Sequence, residues 1–266
     1  MIRLSERLAT VASRIAPGET VADVGSDHGY LALYLAESGR SPLVIMTDIS
    51  EQSLRKAKQS ARLLTALSGC ARKRLLFRIG DGLHALDRGE TDFVAICGLG
   101  GLTIKSILAA DREKTLSFRR FILQPRNNFG PLLYFLKEEG FQVTALDLAP
   151  EKDRWCEILT ISPPKGEIST PSGPKESNLS GHPNRRSVSW DLLPSYVYPD
   201  ELLTTDSPFV ESYLKAKLEK ENKIIERIRE KARIDKASSF EALVLREAYR
   251  RRIMTLFSEI GKEEAK

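Results

Sequence analysis

Between residues 21 and 30 a short apolar run passes through a turn containing two glycines and straight into a helical pattern. The stretch reads Val21-Ala22-Asp23-Val24-Gly25-Ser26-Asp27-His28-Gly29-Tyr30 and continues as Leu31-Ala32-Leu33-Tyr34-Leu35. Glycines let the backbone approach a ligand, and the first turn of a helix offers N–H groups with no partner inside the helix. Such a strand–turn–helix unit builds a nucleoside-cofactor crevice at the edge of an open α/β sheet. Similar junctions also occur without a ligand, so the other strand ends have to bear the reading out.

The rest of the first 161 residues repeats the alternation. A helix over 3–16 carries Leu4, Leu8, Val11, Ala12 and Ile15 on one stripe and stops at Pro17-Gly18. Strands are predicted at Thr20–Val24, Leu43–Thr47, Leu75–Ile79, Phe93–Cys97, Phe121–Gln124, Gln142–Leu148 and Trp155–Ile161. Helices fit 30–38, 51–67, 101–110 and 130–139 between them. Strands alternating with helices imply a parallel sheet covered on both faces. Only Ala149–Arg154 separates the last two strands, so they form an antiparallel hairpin. The expected fold is α/β, with a Rossmann-like, mostly parallel seven-stranded sheet closing on a hairpin. That is the class I methyltransferase arrangement.

Residues 162–199 hold seven of the chain's 13 prolines, many serines and no sustained period, as a linker does. Within them Trp190 and Leu192–Tyr198 are apolar enough to dock on the main body. Further on, Leu214, Leu218, Ile225, Ile228 and Ala232 form one stripe. After Ala237-Ser238-Ser239 a second stripe runs through Leu245, Tyr249, Ile253, Leu256 and Ile260. Two such helices joined by a short turn read as an antiparallel coiled-coil hairpin. The expected division is a methyltransferase domain over 1–161, a linker over 162–199 and a helical hairpin over 200–266.

Cys70, Cys97 and Cys156 are scattered and odd in number, so no metal or disulfide framework is expected. No apolar run reaches the roughly 18 residues of a membrane span. The start of the chain lacks the apolar core of a secretion signal, and the cytoplasm is the expected compartment. The net charge of +5 matters less than its clustering. Arg55, Lys56, Lys58, Arg62, Arg72, Lys73, Arg74 and Arg78 lie in a segment with no acidic residue. This is either an RNA-attracting patch or a solvated helix face followed by a basic turn.

The strand ends carry the candidate chemistry. Asp27 occupies the place of the middle glycine of a dinucleotide fingerprint, where its carboxylate would repel a pyrophosphate. A cofactor bearing a sulfonium and an ammonium tolerates it, which points to S-adenosylmethionine held by Gly25, Ser26, Asp27 and Gly29. Asp48, followed by Ile49, is placed to accept both ribose hydroxyls, or else to cap the next helix. Asp81-Gly82 supplies a carboxylate for the adenine amino group, or merely a good turn. Gly98-Leu99-Gly100 leaves room for a ligand, or only for a crowded crossover. After Leu123, Gln124 and Asn127 could meet a base edge and Arg126 a phosphate. The Asn/Asp-Pro-Pro-aromatic motif of amino-directed adenine methyltransferases is missing after the fourth strand.

Ala12-Ser13, Asp23-Val24-Gly25-Ser26-Asp27-His28-Gly29-Tyr30, Asp48-Ile49, Gly80-Asp81-Gly82-Leu83, Gly98-Leu99-Gly100-Gly101 and Leu123-Gln124-Pro125 together resemble the bacterial TrmK family. These are S-adenosylmethionine-dependent methyltransferases acting on N1 of adenine 22 in tRNA. The resemblance covers residues 3–161 and extends to the C-terminal helical hairpin. It departs from the family at Leu99, where Met is usual, and at Arg126, where Asn is usual; Asn127 is then the candidate substitute. The resemblance implies a tRNA substrate and a cofactor at the strand tips; the chemistry needs no metal, and the oligomeric state stays open between a slightly favoured monomer and an assembly. In this reading Asp27 accepts a hydrogen bond from the target base and Tyr30 stacks on it, with Gln124 and Asn127 at the base edge. Arg7, Arg55, Lys56, Arg62, Arg72, Lys73, Arg74 and Arg126 would hold RNA. Two alternatives stay open. One is a methyltransferase of the same fold acting on another RNA, a small molecule or a protein. The other is a non-catalytic protein whose coiled coil recruits partners.

Overall fold

Seven short apolar runs find one another in a single sheet of order β3-β2-β1-β4-β5-β7-β6. The computed structural model describes residues 2–25, 28–65, 69–152, 154–164, 193–232 and 236–263. The strands are β1 (Val21–Val24), β2 (Val44–Asp48), β3 (Leu75–Ile79), β4 (Phe93–Cys97), β5 (Arg120–Gln124), β6 (Gln142–Glu151) and β7 (Arg154–Ser162). β1 to β5 pair in parallel, and β7 runs antiparallel to both β5 and β6. The predicted alternation and the closing hairpin are therefore borne out.

Burial explains why the central strands read as unbroken apolar runs. β1 is buried at all four positions, because helices cover both faces. Successive side chains point to opposite faces. Ala22, Val24, Ile45, Val94 and Ile96 enter one core with α5 (Gly101–Ala110) and α7 (Phe129–Glu138). Val21, Met46, Phe93 and Ala95 enter the other with α1 (Glu6–Ser13), α2 (Tyr30–Glu37) and α3 (Glu51–Thr65). α1 starts where Ser5 Oγ accepts the Leu8 N–H at 3.4 Å, an N-cap that satisfies an otherwise orphan donor.

Three local features differ from expectation. The hairpin turn is tighter than the six residues predicted, since Ala149, Pro150 and Glu151 pair with Cys156, Trp155 and Arg154. Pro150 is tolerated because β6 is the sheet's edge strand, where a missing N–H breaks no central ladder. Two short helices, α4 (Gly69–Arg72) and α6 (Arg112–Ser117), are too brief to show a periodic stripe. The last helix begins at Lys236, so Ala237-Ser238-Ser239 lie inside it rather than forming the break.

The segment predicted as a linker is described only at its ends. Leu193–Val197 forms α8 against α7, with the Tyr134 and Tyr196 rings edge to face at 5.1 Å. Trp190 and Leu192 lie outside the described residues. Helices α9 (Val210–Ala232) and α10 (Lys236–Glu263) pack side by side, joined by the ion pairs Glu221–Arg246 and Arg229–Glu247. They also pack on the sheet: Tyr213, Leu214, Tyr249, Ile253 and Leu256 belong to the same apolar core as Leu146 and Leu159. The Tyr213 hydroxyl and Lys217 Nζ both donate to Glu157 of β7, each at 2.9 Å. Among the described residues no helix is long and apolar enough to cross a membrane.

Candidate active site

All five parallel strands end on one edge of the sheet, so the loops that follow them gather there. Gly25, just past β1, has φ +74°, and its N–H donates to the Thr47 carbonyl at 2.8 Å. Gly29 caps α2 with φ +69°, and a Cβ there would stand 2.1 Å from the end of the buried Met46 side chain. Gly98 has φ +81° and donates its N–H to the Gln124 carbonyl; a Cβ on it would meet no atom within 4 Å. The turn after β4 is thus open toward the ligand side, where a side chain would fill usable space.

These loops border a cleft of about 760 Å³, within the range of small-molecule sites. Gly25, Tyr30, Asp48, Ile49, Asp81, Gly82, Gly98 and Leu99 all line it, so residues spread over 75 positions of sequence converge. Gly100 stands beside them as the N-cap of α5. Asp48 serves both predicted readings: Oδ1 accepts the Ser50 N–H at 2.7 Å while the residue borders the cleft. Tyr30 is 53% exposed at the start of α2, its ring parallel to that of His28 with centroids 5.8 Å apart. Ser26 and Asp27 lie outside the described residues, between the two cleft residues Gly25 and His28.

The loop after β5 does not behave as predicted throughout. Gln124 is 1% exposed and already engaged at both ends. Its Oε1 accepts from Arg7 at 3.0 Å, and its Nε2 donates to the Pro125 carbonyl at 2.9 Å. So deeply buried an amide presents little surface to a base edge, and its bonds tie Arg7 to the loop after β5. Asn127 is exposed; its Oδ1 accepts from Asn128 Nδ2 at 3.2 Å and lies close to Gly100. Arg126 lines the cleft, and its backbone N–H donates to the Leu99 carbonyl at 2.8 Å.

Several cleft residues carried no sequence signal. Arg154 lines it because β7 runs backwards, which puts its first residue at the functional edge; an arginine opening a reversed strand was the available clue. Asp23 and Cys97 sit deeper, on β1 and β4. Burial pushes the Cys97 thiol up to about 12, Asp23 adds to that, and Arg7 opposes it. The thiol is therefore protonated at neutral pH and is no nucleophile.

The basic segment is less uniform than its sequence. Arg74 is half-buried and donates to the Ala36 carbonyl at 2.8 Å, holding the end of α2. Arg78 is committed to Glu90 by two bonds, of 2.7 and 2.5 Å. Arg55 pairs with Glu51 on the exposed face of α3, and Lys58 lies over the Phe77 ring. Lys56, Arg62, Arg72 and Lys73 are exposed as expected. Among the described residues no group of His, Cys, Asp or Glu could hold a metal ion.

A family model described as a methyltransferase domain matches residues 4–159, the stretch that builds this cleft. The chain belongs to the methyltransferase domain family. The tRNA (adenine(22)-N(1))-methyltransferase of Bacillus subtilis is 32% identical over 158 residues, which is 59% of this chain and 64% of that relative. The aligned part thus spans less than two thirds of the relative's length. Two solved structures share the fold of this methyltransferase over nearly the whole chain. The B. subtilis m1A22 tRNA methyltransferase TrmK superposes with a TM-score of 0.71 at 24% identity, covering 96% of this chain and 99% of that one. M. capricolum TrmK, in complex with S-adenosyl-homocysteine, gives 0.64 at 21% identity, covering 94% and 99%. The TrmK resemblance read from the motifs is borne out by these relatives.

Proposed function

We propose that this methyltransferase moves a methyl group from S-adenosylmethionine to N1 of adenine in tRNA, with adenine 22 as the target. The observation that supports it best is the convergence of Gly25, Asp48, Asp81 and Gly98 on one cleft at the strand ends. Those residues fit the cofactor: Gly98 offers open backbone, and two carboxylates stand at the ends of neighbouring strands. S-adenosylmethionine, when bound, supplies an electrophilic methyl group on a sulfonium. Asp48 would accept the ribose hydroxyls, Asp81 the adenine amino group, and the backbone from Gly25 to Gly29 would cradle the methionine end. The B. subtilis relative is named for the same target atom and position.

N1 of adenine carries a free lone pair at neutral pH, so the protein need not remove a proton from it. Its residues contribute orientation and electrostatics. Asp27 is assigned the exocyclic amino group of the target base, where a carboxylate enriches N1 and favours the cation formed on the ring. Tyr30 is assigned a stacking platform for a base extruded from its helix. Asn127 remains the candidate for the base edge. Lys56, Arg62, Arg72, Lys73 and Arg126 are assigned to the RNA backbone. Residues 1–161 would carry the transfer, 162–199 connect, and 200–266 present the C-terminal helices; the cytoplasm and a monomeric state complete the proposal.

Incubation with labelled cofactor and unmodified tRNA, followed by nucleoside mass spectrometry, tests the reaction. 1-Methyladenosine is the expected product; a methyl group on the exocyclic nitrogen or on guanine would refute it. Asp48→Ala should weaken S-adenosyl-homocysteine about 10- to 100-fold by calorimetry, the worth of hydrogen bonds to a charged group. Unchanged affinity would reduce Asp48 to its bond with the Ser50 N–H.

A further inference from the structure

The cleft is divided by charge. Asp48 and Asp81 border it at the ends of β2 and β3 and Asp23 sits deeper on β1, whereas Arg7, Arg126 and Arg154 border it on the far side. The arginines arrive from three elements: α1, the loop after β5, and the first residue of β7. From β2 to β7 the sheet spans four inter-strand spacings of about 4.8 Å, or roughly 19 Å. A cofactor held by Asp48, Asp81 and the glycine turns occupies the β3-β2-β1-β4 part of this edge. The tips of β5 and β7 lie beyond it, on the side left for the substrate.

The basic side is a built arrangement. Glu151 joins two of its members, with Oε1 accepting from Arg7 at 2.7 Å and Oε2 from Arg154 at 2.6 Å. Buried Gln124 holds Arg7 from below. Burial would raise the Glu151 carboxyl, but the hydrogen bonds from Arg154 and Arg7 outweigh it and lower the group, keeping it ionised. One carboxylate thus fixes two guanidinium groups and neutralises only one of them. Arg126 is exposed and enters no ion pair among the described residues. Glu151 offsets one of the three arginine charges, and guanidinium forks match phosphate oxygens in geometry.

We propose that Arg7, Arg126 and Arg154 form a phosphate site that grips the RNA backbone beside the target nucleotide and holds the extruded base over the cofactor. The inference rests on the proposed reaction for its substrate class. It adds Arg154, and it gives Glu151 and Gln124 the task of positioning the arginines. A phosphodiester is the natural ligand here, because a nucleotide turned out of its helix brings its own backbone to the mouth of the pocket.

The test compares the full-length wild type with Arg126→Gln, Arg154→Gln and Arg154→Lys. For each, the affinity for unmodified tRNA is measured across a salt series, the affinity for S-adenosyl-homocysteine by calorimetry, and kcat and KM for tRNA. Each Gln variant should raise KM for tRNA about tenfold and lower the slope of log affinity against log salt by about one. Cofactor affinity should stay within about twofold of wild type, and Arg154→Lys should recover part of the slope. Arg126 is exposed, so its variant keeps the test open should an Arg154 variant fold poorly. Unchanged slopes and KM would overturn the site. So would a loss of cofactor affinity with RNA binding intact, which would hand the arginines to the cofactor's carboxylate. If the wild type shows the arginine-dependent slope yet makes no 1-methyladenosine, the phosphate site stands and the proposed reaction falls.

Discussion

Gly101→Ala will destabilise the protein by about 1–3 kcal/mol, the usual cost of overpacking, and will depress methyl transfer with it. A Cβ at Gly101 would sit 2.5 Å from the Asn128 carbonyl oxygen and 2.7 Å from that of Asn127. Both are backbone atoms, so no rotamer change can relieve the clash. The Gly101 N–H also donates to the Asn127 carbonyl at 3.1 Å, which ties the start of α5 to the loop after β5. Forcing the two apart moves the loop that carries Arg126 and Asn127 at the cleft. Thermal unfolding and 1-methyladenosine yield check it together: both should fall. A variant with the wild-type midpoint and yield would mean that this loop gives way freely.

Asp27→Asn will lower kcat on unmodified tRNA by about 10²- to 10³-fold, the range for removing one well-placed electrostatic partner of a transition state. Asn keeps the size and one carbonyl acceptor but loses the negative charge that would offset the cation forming on the adenine ring. The melting temperature and the affinity for S-adenosyl-homocysteine should stay near wild type. Single-turnover kinetics with saturating tRNA separate this loss from weaker binding. Wild-type turnover would exclude Asp27 from the chemistry and leave orientation as the protein's whole contribution.

The sheet was legible because its central strands are buried on both faces, which writes them as uninterrupted apolar runs. Phe93–Cys97 was read to the residue, and so was the more exposed edge strand Leu75–Ile79. The edge hairpin was read short because Ala149-Pro150-Glu151 looks like a turn; only its place at the sheet's rim lets a proline pair there. Asp48, Asp81 and Gly98 were legible because strand ends fix where such side chains gather. The burial of Gln124 was not legible, because sequence shows an amide but not its partners. Arg7 lies 117 residues away along the chain and takes one end of that amide. Arg154 escaped notice because the hairpin, though expected, was read with Arg154 in its turn and its second strand starting at Trp155. The charges of Arg74 and Arg78 were visible, but not the Ala36 carbonyl that the first meets or the Glu90 carboxylate that pairs with the second.

Tyr213 is 1% exposed, Leu214 fully buried, and both sit in one core with Leu146, Leu159 and Phe121. Removing the last two helices would leave an oily scar along the sheet, with Glu157 stripped of both its donors. A shortened chain would therefore precipitate or lose its tertiary order before it could report on RNA. Graft and swap experiments on these helices have to work from their outer surface inward, one exposed side chain at a time.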